Sequence, residues 1–64
     1  MEDYQTRVVE EADELDKKIE KLEAFTKNLF FCGLPAPEAG RMLRQLDAMR
    51  LYSYILHNRI KHFL

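Results

Sequence analysis

The hydrophobic positions in the first half of the chain repeat in alternating steps of four and three residues, and the positions between them are mostly charged. This spacing places the apolar side chains on one face of an α-helix and is typical of helices that pack along a partner. The pattern predicts one amphipathic helix over about residues 3–31. Its apolar positions are Val8, Ala12, Leu15, Ile19, Leu22, Thr26 and Leu29, with Phe25 and Phe30 widening the face near its C-terminal end.

The second half of the chain predicts a helix over about residues 37–63 with two apolar faces. The first face has the same spacing and comprises Met42, Leu46, Met49, Ser53, Leu56, Ile60 and Phe63. The second lies roughly opposite or beside it and comprises Ala48, Leu51 and Ile55, with Tyr52, Tyr54 and Leu43 at its margins. One partner helix can cover only one such face, so the sequence predicts that this helix is buried on two sides.

A short break separates the two helical patterns. Gly33 is well placed to end the first helix in a left-handed conformation, and Pro35 and Pro37 cannot continue it. A connection over about residues 32–36 favours antiparallel neighbours. The sequence therefore predicts an all-α fold, a single domain over residues 1–64 that forms an antiparallel two-helix hairpin. The predicted core joins Val8, Leu15, Ile19, Leu22 and Leu29 to Met42, Leu46, Met49, Leu56 and Ile60.

A chain of 64 residues buries little of its surface and usually needs a disulfide, a metal or a partner for stability. The single cysteine, Cys32, excludes an intramolecular disulfide, and we expect its side chain to be a small buried apolar group. Self-association is therefore the prediction, most simply a two-fold dimer that forms a four-helix bundle. The predicted interface residues are Ala48, Leu51, Tyr54 and Ile55.

Charge is divided unequally along the chain. Residues 1–32 carry nine acidic and five basic side chains, whereas residues 33–64 carry two acidic and five basic ones. Antiparallel helices would therefore be electrostatically complementary. The net charge of −1 implies no general attraction to polyanions, so duplex DNA is an unlikely partner. The acidic N-terminus does not resemble a secretory signal, and no apolar run approaches the ~20 residues of a membrane span, so we expect an intracellular protein without membrane contact.

No motif in the sequence indicates catalysis or a cofactor. There is no Ser-His-Asp or Cys-His pattern and no glycine-rich phosphate loop, so we predict a protein that is not an enzyme. His57 and His62 are five residues apart, which points them in different directions on a helix. A shared metal ion is therefore not expected.

The one candidate binding site lies on the second predicted helix. Arg41, Arg44, Tyr52 and Arg59 project within a fairly narrow sector beside the second apolar face. Arginine binds phosphate in a bidentate manner, and tyrosine offers a base a surface for stacking. These residues could hold a nucleotide at an oligomer interface. The alternative is that the arginines pair with acids of a neighbouring first helix.

The segments RVVEEADELDKKIEKLEAF and RMLRQLDAMRLYSYILHNRI resemble a family of very short proteins of tailed phages and prophages, related to an open reading frame of a crAss-like phage. The resemblance covers most of the chain and rests mainly on hairpin core and helix surface. It implies a phage accessory protein that counters host defences or adjusts host machinery. The residues that carry it are Arg7-Val8-Val9-Glu10-Glu11, Glu14-Leu15-Asp16, Lys18-Ile19, Arg44-Gln45, Met49, Tyr52 and residues 56–60.

Two functional hypotheses follow from these features. The first is a non-enzymatic phage protein of the host cytoplasm, an oligomeric helical hairpin that binds and inhibits or recruits a host defence protein. The second is a protein that sequesters a nucleotide immune messenger at its oligomer interface. Nucleotide that copurifies with the protein would favour the second hypothesis.

Overall fold

The computed structural model describes residues 3–63, with the side chain of Leu29 excepted. This range forms three helices, α1 (Asp3–Thr26), α2 (Leu29–Cys32) and α3 (Ala36–Lys61), and contains no strand. The two long helices pack along each other in a rod of 46 × 15 × 14 Å. The predicted all-α hairpin is therefore confirmed.

Contacts at both ends show that α1 and α3 run antiparallel. Near the chain termini, the rings of Tyr4 and Phe63 meet edge to face with their centroids 5.9 Å apart. Gln5 donates a hydrogen bond from Nε2 to the carbonyl oxygen of Phe63 at 3.2 Å. Towards the connection, Arg50 Nη2 lies 3.0 Å from Glu23 Oε2. These contacts join early residues of α1 to the end of α3 and late residues of α1 to its middle.

The core is a single apolar seam between α1 and α3. Its buried side chains are Val8, Ala12, Leu15, Ile19, Leu46 and Leu56. Leu22, Met49, Ile60 and Phe63 are partly buried against them. The heptad spacing of the sequence thus predicted the seam correctly, because a period of three and four residues fixes which face of each helix is apolar. The predicted core position of Leu29 lies outside the described side chains.

The first helix ends earlier than the predicted residue 31. α1 stops at Thr26, whose Oγ1 donates to the carbonyl oxygen of Glu23 at 2.7 Å. Asn28 then adopts an extended backbone, with φ −88° and ψ 152°, and its side chain accepts a hydrogen bond from the Phe30 amide at 2.9 Å. Asparagine favours this capping position over a helix interior because its side chain competes for nearby backbone amides. The short helix α2 therefore begins afresh after a break.

Three expectations about this break are corrected. Gly33 does not take a left-handed conformation, since its φ is −85° and ψ −6°. Its amide donates to the Phe30 carbonyl at 3.1 Å, so the chain leaves α2 by a tight right-handed turn that needs no positive φ. Cys32 is exposed rather than buried, and the Phe30 side chain is 76% exposed. The new helical start at Asn28 changes the direction of both side chains relative to α1.

The second long helix begins close to its predicted position. Pro35 precedes it as the N-cap residue, and Pro37 lies in its first turn, where a missing amide hydrogen costs little. The carbonyl of Pro35 accepts hydrogen bonds from the amides of Glu38 and Ala39, both at 3.0 Å. α3 ends at Lys61, two residues before the predicted boundary.

Candidate functional site

The face of α3 that points away from α1 is apolar and exposed. We call it the outward face; it comprises Ala48, Leu51, Tyr54 and Ile55, with Leu43 and Tyr52 at its margins. Leu51, Tyr54 and Ile55 are 61%, 69% and 47% exposed. Within residues 3–63 no other element covers these side chains. The structure therefore places the predicted interface residues where a second molecule could reach them.

The four predicted ligand-binding residues are also exposed, but one protomer does not bring them together. Arg41 and Arg59 are separated by about 27 Å along α3 at ~1.5 Å per residue. Arg41 is held by Glu38, with Arg41 Nε 2.9 Å from Glu38 Oε1. Arg44 and Arg59 have no ion-pair partner among the residues that the structure describes. Tyr52 is 44% exposed between them.

A cluster of polar side chains closes one edge of the seam between α1 and α3. Asp16 accepts a hydrogen bond from Ser53 Oγ through Oδ1 at 2.5 Å, and its Oδ2 lies 2.7 Å from His57 Nε2. The hydrogen bond from Ser53 is the main cause that lowers the pKa of Asp16, and the contact with His57 lowers it further. We call Asp16, Ser53 and His57 the polar clasp. It fixes one point of α3 to one point of α1.

The polar clasp contains the residue types of a hydrolase triad but not their order. In such a triad the histidine lies between serine and aspartate, so that it can take the serine proton. Here the aspartate lies between the other two and accepts from the serine directly. Ser53 therefore has no histidine positioned to take its proton, and the arrangement is suited to holding the helices together.

The opposite edge of the seam is open. A groove of about 390 Å³ lies there, and we call it the open groove. It is lined by Lys18, Lys21, Leu22, Phe25, Met42, Gln45 and Met49. The spacing of residues along each helix does not predict this groove, because a groove depends on how far apart the two helices lie at one edge. The available signal was the position of Lys18 and Lys21 beside the apolar positions Leu22 and Phe25.

The described residues contain no cluster of three or more histidine, cysteine or carboxylate side chains that could hold a metal ion. His57 contacts Asp16, whereas His62 Nδ1 lies 2.9 Å from the carbonyl oxygen of Asn58. The two histidines thus have separate partners. In the same part of the chain, every helix is too short or too polar to span a membrane.

Within the described residues, the chain is an antiparallel α-helical hairpin whose outward face on α3 is exposed. Residues 2–62 match the sequence profile of the Sequestin family, so the chain belongs to that family. Its name suggests proteins that sequester another molecule. No solved structure matches the chain.

A curated relative places the chain among small phage proteins. It is described as an "Uncharacterized 7.5 kDa protein in denB-rIIB intergenic region" of Enterobacteria phage T4. The two sequences are 38% identical over 60 residues, which cover 94% of each chain. The predicted kinship with short phage proteins is thus confirmed, while the relation to a crAss-like phage stays a prediction.

Proposed function

We propose that this protein is a phage sequestering protein that captures a nucleotide messenger of host defence between the α3 helices of two copies. It would do so in the host cytoplasm, by binding and without catalysis. The observation that carries the proposal is the pair Arg44 and Arg59, which have no acidic partner among the described residues and flank an exposed tyrosine on an apolar face. The family name supports capture as the activity.

The spacing of the outward face supports a two-fold dimer. The midpoint between Arg44 and Arg59 lies within the outward face, between Leu51 and Tyr52. If a two-fold axis crosses α3 at that point, two antiparallel α3 helices meet, and Arg44 lies beside Arg59 of the partner subunit. The same operation brings apolar residues of the outward face into contact. The dimer would bury the surface that the hairpin leaves in water.

Such a dimer would create two equivalent anion sites. Two neighbouring guanidinium groups repel each other unless an anion lies between them, and phosphate matches their geometry. By symmetry the two sites would lie about 22 Å apart, from the ~1.5 Å rise per residue. Tyr52, near the axis, could stack against a base. This arrangement suits a ligand that carries both phosphates and bases.

Isothermal titration calorimetry with a panel of cyclic dinucleotides and mononucleotides tests the proposal. We expect Arg44→Ala with Arg59→Ala to weaken binding by more than about tenfold, because a charge-assisted hydrogen bond contributes ~1.5–3 kcal/mol. The control is Arg7→Ala, since Arg7 is an exposed arginine of α1 that pairs with Asp3. Lack of binding by any nucleotide, or equal weakening by the control, would contradict the proposal.

A host protein is a second candidate for the sequestered molecule. The observation that favours it is the row of exposed side chains Leu51, Tyr54 and Ile55, whose spacing suits a helix that enters an apolar groove of a partner. Pull-down from a host lysate distinguishes the candidates. A protein target is supported if one host protein is captured in amounts equal to the bait and if Leu51→Glu abolishes this capture. A nucleotide is supported if the purified protein shows excess absorbance at 260 nm.

A further inference from the structure

The open groove has the size and composition of a small-molecule site within one protomer. Its volume of about 390 Å³ falls in the ~300–1,000 Å³ range of ligand pockets. α1 provides one wall and α3 the other, and the floor is mostly apolar. The groove lies on the opposite edge of the seam from the polar clasp. Neither the outward face nor the clasp therefore accounts for it.

The charge of the groove favours an anion. Lys18 and Lys21 are its only charged lining residues, and both are basic. Neither ammonium group has an ion-pair partner within the described range 3–63. An anionic group at the rim would meet two positive charges without displacing an existing ion pair.

The apolar floor favours a flat ring next to that anionic group. Phe25 can stack on an aromatic ring, and the thioethers of Met42 and Met49 adapt to its shape. Gln45 adds an amide at the α3 wall, where its Nε2 lies 3.8 Å from the Met49 sulfur. This weak contact is easily exchanged for a hydrogen bond to a polar ring edge.

The groove lies on the same side of α3 as two of the candidate ligand residues. Gln45 lies one helical turn from Arg41 and two turns from Tyr52, so the three residues share one side of α3. A ligand whose ring enters the groove could thus extend its remaining groups towards the α3 sector. The groove lysines of α1 would then contact the same ligand molecule as Arg41 and Tyr52 of α3.

We infer that the open groove is a subsite, contained within a single protomer, that accepts the ring and the anionic group of a nucleoside phosphate. The ring lies against Phe25, Met42 and Met49, and Lys18 and Lys21 meet the phosphate. The inference rests on the proposed function for the class of ligand. It adds α1 to the binding surface, so that each copy holds part of the ligand without its partner.

Methionine and isoleucine methyl groups allow this subsite to be tested separately from the α3 interface. Adenosine monophosphate is titrated into protein labelled with ¹³C at these methyl groups. We expect saturable shifts at Met42 and Met49, and an affinity at least about tenfold lower for Lys18→Ala with Lys21→Ala, since both phosphate contacts are lost. The matched control is Lys17→Ala with Lys27→Ala, which removes the same charge outside the groove.

The outcomes separate the two proposals. Shifts confined to Ile55, with dependence on Arg44 and Arg59, would overturn the groove inference and leave the interface site standing. Shifts at Met42 and Met49 that depend on the groove lysines, with no effect of the arginines, would support the groove inference independently of the interface site. Absence of any saturable shift at millimolar ligand would overturn the groove inference, and cyclic dinucleotides would then decide the interface site.

Discussion

The outward surfaces of α1 and α3 differ although the two helices have nearly equal length. Beyond the seam, α1 presents charged side chains, and Tyr4 is its one large hydrophobic residue with an exposed side chain in the described part of the helix. α3 instead exposes the apolar outward face, in which Leu51 is 61% exposed. One partner helix therefore covers the apolar face of α1, whereas α3 keeps a second apolar face that is exposed within the described residues.

The largest decrease in the free energy of unfolding is expected when a side chain of the seam is truncated. Leu56 is 1% exposed, so Leu56→Ala should lower the free energy of unfolding by ~2–5 kcal/mol through lost burial and an unfilled cavity. Urea denaturation followed by circular dichroism measures the change. At a concentration where the protein is monomeric, Leu51→Ala on the outward face should cost less than ~0.5 kcal/mol. Equal losses would mean that both faces of α3 are buried within one chain.

Charged substitutions on the outward face should abolish self-association without unfolding the hairpin. We expect Leu51→Glu with Ile55→Glu to be monomeric at micromolar concentration, because two carboxylates would have to be buried without partners. Sedimentation equilibrium or light scattering measures the mass. Ala24→Glu, at an exposed position of α1, is the control and should keep the mass of the unmodified protein. An unmodified protein that is itself monomeric would disprove the dimer.

The polar clasp should make a smaller, pH-dependent contribution to the free energy of unfolding. The pKa of Asp16 is lowered from its ordinary 3.8 in the folded chain, so its stabilising effect is present above the unfolded pKa and lost as the pH falls through the folded one. Asp16→Asn should cost at most ~1 kcal/mol near neutral pH, since the carboxylate is partly exposed. The difference from the unmodified protein should shrink below about pH 4. Asp13→Asn, at an exposed position, should show no such trend.

The smallest change in the free energy of unfolding is expected from a substitution in the second turn of α3. Gly40 is helical, and a Cβ atom added there would meet nothing within 4 Å. Gly40→Ala should therefore raise the free energy of unfolding by ~0.5–1 kcal/mol, because alanine loses less backbone entropy in a helix. Thermal unfolding measures the gain. A loss of stability would show that this part of α3 packs against another molecule.

The seam was predictable from the sequence, and the connection between the helices was not. Apolar spacing assigns Leu15 and Leu56 to packed faces without knowledge of the partner helix, because the period of an α-helix is fixed. The end of α1 depends instead on a small difference in free energy at Asn28, between a side-chain cap that starts a new helix and one more turn of α1. The heptad pattern continues through this residue, so periodicity gave no indication of the break.

The candidate site was predictable only as far as it lies on one helix. The arginine and tyrosine sector of α3 follows from spacing along a single element. The polar clasp and the open groove each combine residues of both helices: Asp16 contacts Ser53 in the clasp, and Lys21 and Met42 line opposite walls of the groove. Such pairs depend on the rotation of each helix about its axis and on their relative shift. Spacing within one helix does not determine either quantity.

Ser53 limits the ways in which α1 and α3 can be aligned along their axes. It occupies an apolar position of the α3 pattern, and because that pattern repeats every seven residues, a shift of seven residues would again place an apolar position opposite Ile19. The same shift would carry Ser53 about 10 Å away from Asp16, at ~1.5 Å per residue, and separate His57 from it as well. One hydroxyl group among apolar side chains thus joins the Tyr4–Phe63 and Glu23–Arg50 contacts in favouring a single alignment of two otherwise repetitive surfaces.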